Sequence, residues 1–224
     1  RADRFPSRQL MTATSSRFAG GAGDATHDSS RFIEKSIGWI LTGASLVAFA
    51  AALVLMVEKL KLMADPNFVP SCSINPVLSC GSIMESTQAE AFGFPNPLLG
   101  LVGFGLLLTF GCVKIVGSDL PSKLWLAIQA GVTFAFGFVC WLIFQSLYRI
   151  EALCPYCMAV WVSVFTLFVY VTLFNFSTSN LPVAKPLRPV VDVGVRFHGV
   201  ILTILLATVV LLIGEAFWDY WSTL

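Results

Sequence analysis

Four of the chain's six cysteines are spaced for thiol–disulfide chemistry. In Cys154-Pro155-Tyr156-Cys157 two thiols stand three residues apart where a very apolar run begins. Proline in a first helical turn costs nothing, because its missing N–H would have no partner there. A helix N-terminus offers partial positive charge and free N–H groups, which favour the thiolate, the nucleophile of disulfide exchange. The competing reading is an inert disulfide or two small buried thiols, and the helix-start position favours a redox pair. Cys72 and Cys80 bracket the seven residues of "CSINPVLSC", where Asn75 and Pro76 predict a turn. A loop of this kind lets a cysteine pair travel, or is simply stapled by it. Cys112 and Cys140 fall within or near apolar runs and read as small packing residues.

The elements that position these thiols follow from composition. The chain is 56% hydrophobic and 12% charged, against roughly a quarter charged in soluble domains. That excludes a water-soluble domain, and a net charge of +1 gives no reason to expect nucleic acid. A membrane-spanning helix needs about 20 apolar residues. Five runs qualify, at about 37–60, 97–116, 124–148, 155–176 and 197–217. They are continuous rather than alternating, so the expectation is an all-α integral membrane protein. Residues 1–35 read as a polar, disordered tail, and 177–196 as a Pro-rich linker. The first run is too long, and lies behind too much polar chain, for a cleaved leader.

Basic residues set the orientation. Arg1, Arg4, Arg8, Arg17, Arg31 and Lys35 precede the first run; Lys114 and Lys123 follow the second; Lys185, Arg188 and Arg196 precede the fifth. Parity puts these segments on one side, expected to be cytoplasmic. The other side has Lys59 and Lys61, able to snorkel, and Arg149. The N-terminus is then cytoplasmic. The C-terminus and both cysteine pairs are extracytoplasmic, in a multi-pass protein of the plasma membrane. Zinc fits poorly, because Cys72 and Cys80 are too far apart in sequence and an oxidising side disfavours four free thiolates. Two dithiols on one face predict a relay of disulfide exchange. A lipid-soluble acceptor, naturally a quinone, needs an apolar slot, and Trp161, one turn below Cys157, could line it. Interfacial Trp is also common without function.

"SCSINPVLSCGSIMES", "FGFPNPLLG" and "WLIFQSLYRIEALCPYCMAVW" closely resemble the vitamin K epoxide reductase family, in its bacterial, actinobacterial-type, five-span form. The resemblance covers about Ile37 to Phe176, within a catalytic core of 36–176. It implies a four-helix bundle around a quinone (menaquinone or ubiquinone) with a fifth, peripheral helix. It implies an extracytoplasmic thioredoxin-like (DsbA-type) partner whose dithiol reduces a Cys72–Cys80 disulfide through a mixed disulfide at Cys72. Cys80 would then attack Cys154, and Cys157 would pass electrons to the quinone. Ser86 matches the family's site-supporting Ser or Thr, and Asn96 its quinone-contacting Asn. Trp161 stands where animal members often carry Tyr, and an indole can only donate a hydrogen bond. Ser86 as a helix cap and Asn96 as a turn residue are the ordinary alternatives. "IMESTQAEAFGF" looks like a half-helix over the bundle mouth, with Ile83, Met84, Ala91 and Phe92 able to touch lipid and Glu85 and Glu90 outward. The linker is too short for a thioredoxin-like domain, so the partner is expected to be a separate protein.

The leading expectation is a membrane oxidoreductase coupling partner thiols to quinone reduction. The alternatives are an epoxide or quinone reductase using small thiols, and a non-catalytic scaffold with two structural disulfides. The five runs lack the central ionisable residues a transporter would carry.

Overall fold

A computed structural model describes the chain over residues 8–65, 67–181, 186 and 188–222, with side chains described from residue 27 onward apart from 219 and 221. Arg1, Arg4 and Lys185, three of the basic residues that bear on orientation, lie outside the described residues. The long helices are α1 (Arg8–Ala64), α3 (Asn96–Ile115), α4 (Ser122–Gln145), α5 (Pro155–Ser177) and α7 (His198–Ala216). Five of the helical segments are long and apolar enough to cross a bilayer, and the last four agree with the expected spans to within three residues. Between them come α2 (Cys80–Glu85), a 3₁₀ turn (Thr87–Glu90), α6 (Arg188–Arg196) and α8 (Trp218–Ser222). The protein is an all-α integral membrane protein.

Two stretches differ from their expected form. Residues 1–35 were expected as a disordered tail, yet residues 8–35 run into the rest of α1 without a break. Ile33 is fully buried with Ile37 and Leu41, and Phe32 stacks on His198 at 5.7 Å. Apolar anchoring of this kind outweighs the polar neighbours that suggested disorder. The linker likewise contains α6, whose Val195 is buried in the main core.

α1 and α5 form the axis, with α3 against α1, α4 against α5, and α7 on the outside of α5. Lipid supplies no hydrophobic drive between helices, so close packing must hold α1 to α3. Small residues allow it. A Cβ at Gly111 would sit 2.5 Å from Thr42 Oγ1 and 2.7 Å from the Thr42 backbone nitrogen, and one at Gly38 would sit 3.1 Å from Ile115. At the end of α5 remote from the cysteines, fully buried Asn175 donates to Gln129 Oε1 (3.0 Å), and Gln129 donates to Thr172 Oγ1 (2.9 Å). This network keeps buried polar groups satisfied and clamps α4 to α5.

Candidate redox site

The four cysteines converge at one end of the bundle. Their placement begins with Asn75, whose Oδ1 accepts from the backbone N–H of Val77 (3.1 Å) and Leu78 (2.6 Å). This turn aims the chain at the segment ahead of α5. Leu153 N–H donates to Val77 O (2.7 Å), and Ser79 N–H donates to Leu153 O (3.0 Å). Leu78 and Leu153 thereby form a single parallel β-bridge. Ser79 then caps α2 by accepting from Ser82 N–H, so Cys80 begins a helix and is fully buried.

The opposite approach is equally fixed. After α4 the chain widens into one π-turn (Ser146–Ile150) and reverses at Glu151 in the left-handed region, φ 56°. The buried Ser146 hydroxyl donates to Ala152 O at 2.5 Å. A π-turn interrupts a helix and re-aims the chain beyond it. Here it delivers Cys154 as the N-cap of α5, with Pro155 at the first helical position.

Cys72 and Cys80 are joined in a disulfide, and Cys154 and Cys157 are free thiols. Cys80 Sγ lies 3.0 Å from Cys154 Sγ. Cys80 thus has no distance to travel; any movement belongs to the arm carrying Cys72. The Cys154 thiol is lowered below the usual thiol range. The hydrogen bond from the Cys157 thiol is the largest cause, aided by the backbone N–H groups of Cys157 and Tyr156 and opposed by burial and by the charge of Glu58. Cys72, Cys80 and Cys154 place their sulfurs within 4.8 Å of one another, an arrangement suited to exchange of one disulfide among three partners.

Below Cys157 lies a cavity of about 620 Å³, within the range of small-molecule sites. Its apolar walls come from α1, α3, α4 and α5, including Phe104, Phe134, Phe138, Val139 and Leu142. Its polar liners, Lys59, Ser86, Gln88, Asn96, Gln145 and Ser146, belong to the cysteine end of the bundle. Cys157 and Trp161 line it as well.

Ser86, Asn96 and Trp161 therefore share one chamber with Cys157. Asn96 donates to Gln88 O (2.7 Å) and accepts from Ala91 N–H (3.1 Å), pinning the cap and keeping one amide hydrogen unspent. Ser86 closes α2 instead of starting the next turn: its hydroxyl donates to Ile83 O (2.7 Å). Trp161 is buried, and its indole N–H has no hydrogen-bond partner among the described residues.

α2 and the 3₁₀ turn do cover the chamber, with two differences from the expected half-helix, at Met84 and at Glu90. Met84 faces inward among Leu55, Cys72, Cys80 and Cys154, because the cysteine cluster offers it an apolar seat. Phe92 packs on Phe138 at 5.3 Å and stays exposed on its other side. Glu90 pairs with Lys59 at 3.0 Å, and Lys59 also donates to Met84 O at 2.7 Å. Lys59 was expected to snorkel outward; it turns inward because the cap supplies an acceptor and a carboxylate. Cys112 and Cys140 sit on outer helix faces rather than in the core.

Glu58 is the residue missed by sequence reasoning. It is buried, with Oε1 accepting from the Ser71 hydroxyl and from Ser71 N–H (3.2 Å), and Oε2 3.6 Å from Cys72 Sγ. A carboxylate in the last turns of an apolar run was the available signal, since ionisable groups in a span are costly and need a reason.

Fold and site together define a polytopic, all-helical membrane protein with a thiol centre set over an apolar chamber. The family model for the vitamin K epoxide reductase family matches residues 39–172, and the chain belongs to that family of membrane oxidoreductases. A comparison with curated proteins finds no significant match.

Proposed function

We propose that this protein reoxidises an extracytoplasmic thioredoxin-like (DsbA-type) partner and passes the electrons through two cysteine pairs to a membrane quinone. The observation that carries the reading is the unbroken sulfur path. A disulfide near the aqueous edge lies 3.0 Å from the thiol at a helix start, and the next thiol of that helix lines the chamber. The partner's thiolate would attack Cys72 and release Cys80, and a second partner thiol would then free Cys72. Val69 and Ile74, both 71% exposed on either side of Cys72, offer the partner an apolar footing. Cys80 would attack a Cys154–Cys157 disulfide at Cys154.

The chamber fits a quinone. Two of its free donors, the Trp161 indole N–H and the remaining Asn96 amide hydrogen, suit a ring carbonyl, and its apolar depth suits a tail. The quinone, menaquinone or ubiquinone, supplies an acceptor for two electrons and two protons. Ser86 supports this wall by holding the end of α2. In this reading residues 36–176 are the catalytic core, 177–196 a cytoplasmic connection and 197–217 an accessory span. The N-terminus is cytoplasmic, and the cysteines and C-terminus lie outside the plasma membrane.

The test uses purified protein with a soluble quinone and either dithiothreitol or an exported thioredoxin-like protein. Cys154→Ala and Cys157→Ala should reduce quinone turnover to background with both reductants. Cys72→Ala should keep turnover with dithiothreitol and lose it with the protein. Cys80→Ala should accumulate a mixed disulfide at Cys72. A Cys72→Ala variant that oxidises the protein partner at full rate would refute the relay order.

A further inference from the structure

We propose that Glu58 is the proton acceptor and donor for Cys72, and that its protonation is tied to release of the Cys154 thiolate. The proposal rests on the relay above and adds a residue and a step to it. Three observations carry it. Glu58 is a buried carboxylate near the cysteine-bearing end of a membrane-spanning helix, a position where an ionisable side chain is kept at a cost. Both Ser71 donors converge on Oε1, which fixes the carboxylate and leaves Oε2 facing Cys72 Sγ at 3.6 Å. That is hydrogen-bonding reach for a thiol.

The step that needs a base is the return of the disulfide to its outer position. Once Cys80 has attacked Cys154, the bond is Cys80–Cys154 and Cys72 carries a thiol. Oε2 takes the Cys72 proton, and the thiolate attacks Cys80 Sγ. The Cys72–Cys80 bond forms, the Cys80–Cys154 bond breaks, and Cys154 leaves as a thiolate. Cys72 sulfur is oxidised, Cys154 sulfur is reduced, and the proton ends on Glu58. When the partner later reduces Cys72–Cys80, the same carboxyl returns a proton to the departing Cys72.

Electrostatics couple the two ends. A charged Glu58 opposes the Cys154 thiolate, so neutralising it by proton uptake removes a repulsion as that thiolate appears. The cluster at this end of α1 holds the Cys72–Cys80 disulfide and Cys154, with Tyr156 and Cys157 at its edge, and Lys61 lies over the Phe68 ring of the same cluster at 5.6 Å. Lys59, next to Glu58 in the chain, is turned to Glu90 and the Met84 carbonyl.

The experiment tracks disulfide position rather than turnover. Full-length protein in detergent is reduced, freed of reductant and mixed with one equivalent of soluble quinone. It is acid-quenched at intervals, alkylated and mapped by mass spectrometry across a pH series. Wild type should form Cys72–Cys80 with little Cys80–Cys154. Glu58→Gln, which keeps an acceptor for Ser71, should accumulate Cys80–Cys154 at neutral pH. An unassisted thiol is only about 3% ionised at pH 7, so conversion should slow by roughly 10- to 30-fold, and the gap should close near pH ~9.5. Glu58→Asp should recover part of the neutral-pH rate. Equal rates for Glu58→Gln and wild type at pH 7 would overturn the proposal. So would a deficit unchanged across pH and not relieved by Asp, which marks a purely structural side chain. If wild type forms no disulfide with quinone, the relay itself fails and this step fails with it.

Discussion

Cys154 occupies a position that raises its reactivity from several directions. It caps α5, accepts the Cys157 backbone N–H at 3.5 Å, lies against Cys80, and is held below the usual thiol range chiefly by the neighbouring Cys157 thiol. A lowered thiol keeps more thiolate at neutral pH, the form that attacks and leaves in exchange. Since the Cys157 thiol is the largest cause, Cys157→Ala should move the Cys154 titration upward, toward an ordinary thiol. Thiolate ultraviolet absorbance against pH, in a variant lacking Cys112 and Cys140, would show the shift. An unchanged midpoint would assign the lowering to the helix start alone.

At the scale of elements, register between two irregular segments decides which sulfurs meet. The Asn75 turn and the Leu78–Leu153 bridge hold Cys80 to Cys154 with a handful of backbone hydrogen bonds. Asn75→Ala strips the acceptor from two N–H groups, at a cost of about 1–3 kcal/mol for each that stays dry. The expected result is slower exchange between Cys80 and Cys154, read by trapping that cross-link after mild oxidation. Quinone reduction by dithiothreitol through Cys154 and Cys157 should hold, because that pair belongs to α5. Loss of both activities together would mean that the bridge supports the whole end of the bundle.

For the molecule as a whole, the seam between α1 and α3 sets the width of the chamber, since both helices line it. Gly111 permits that seam: its missing side chain is where Thr42 sits. Gly111→Val should push the helices apart or strain them, at about 1–3 kcal/mol typical of overpacking. A fall in thermal midpoint in detergent, with weaker quinone saturation, would register it. Gly137→Ala is the comparison, because a Cβ there meets nothing within 4 Å and the residue does not line the chamber.

Sequence alone determined the helical spans, because burying backbone in lipid allows few solutions and each run carries its own hydropathy. It also determined that two cysteine pairs fall at one end, since parity follows from counting spans. The helical continuity of 27–35 was not legible, because it depends on Ile33 and Phe32 finding partners on other helices. The same holds for the inward turn of Lys59, the pairing of Glu90 and the presence of Glu58 beside Cys72. Each of these is a contact across many residues of chain, and a side chain's choice between water and a partner depends on where that partner is brought. Tertiary structure therefore decided which sulfur touches which, and which charge stands beside them.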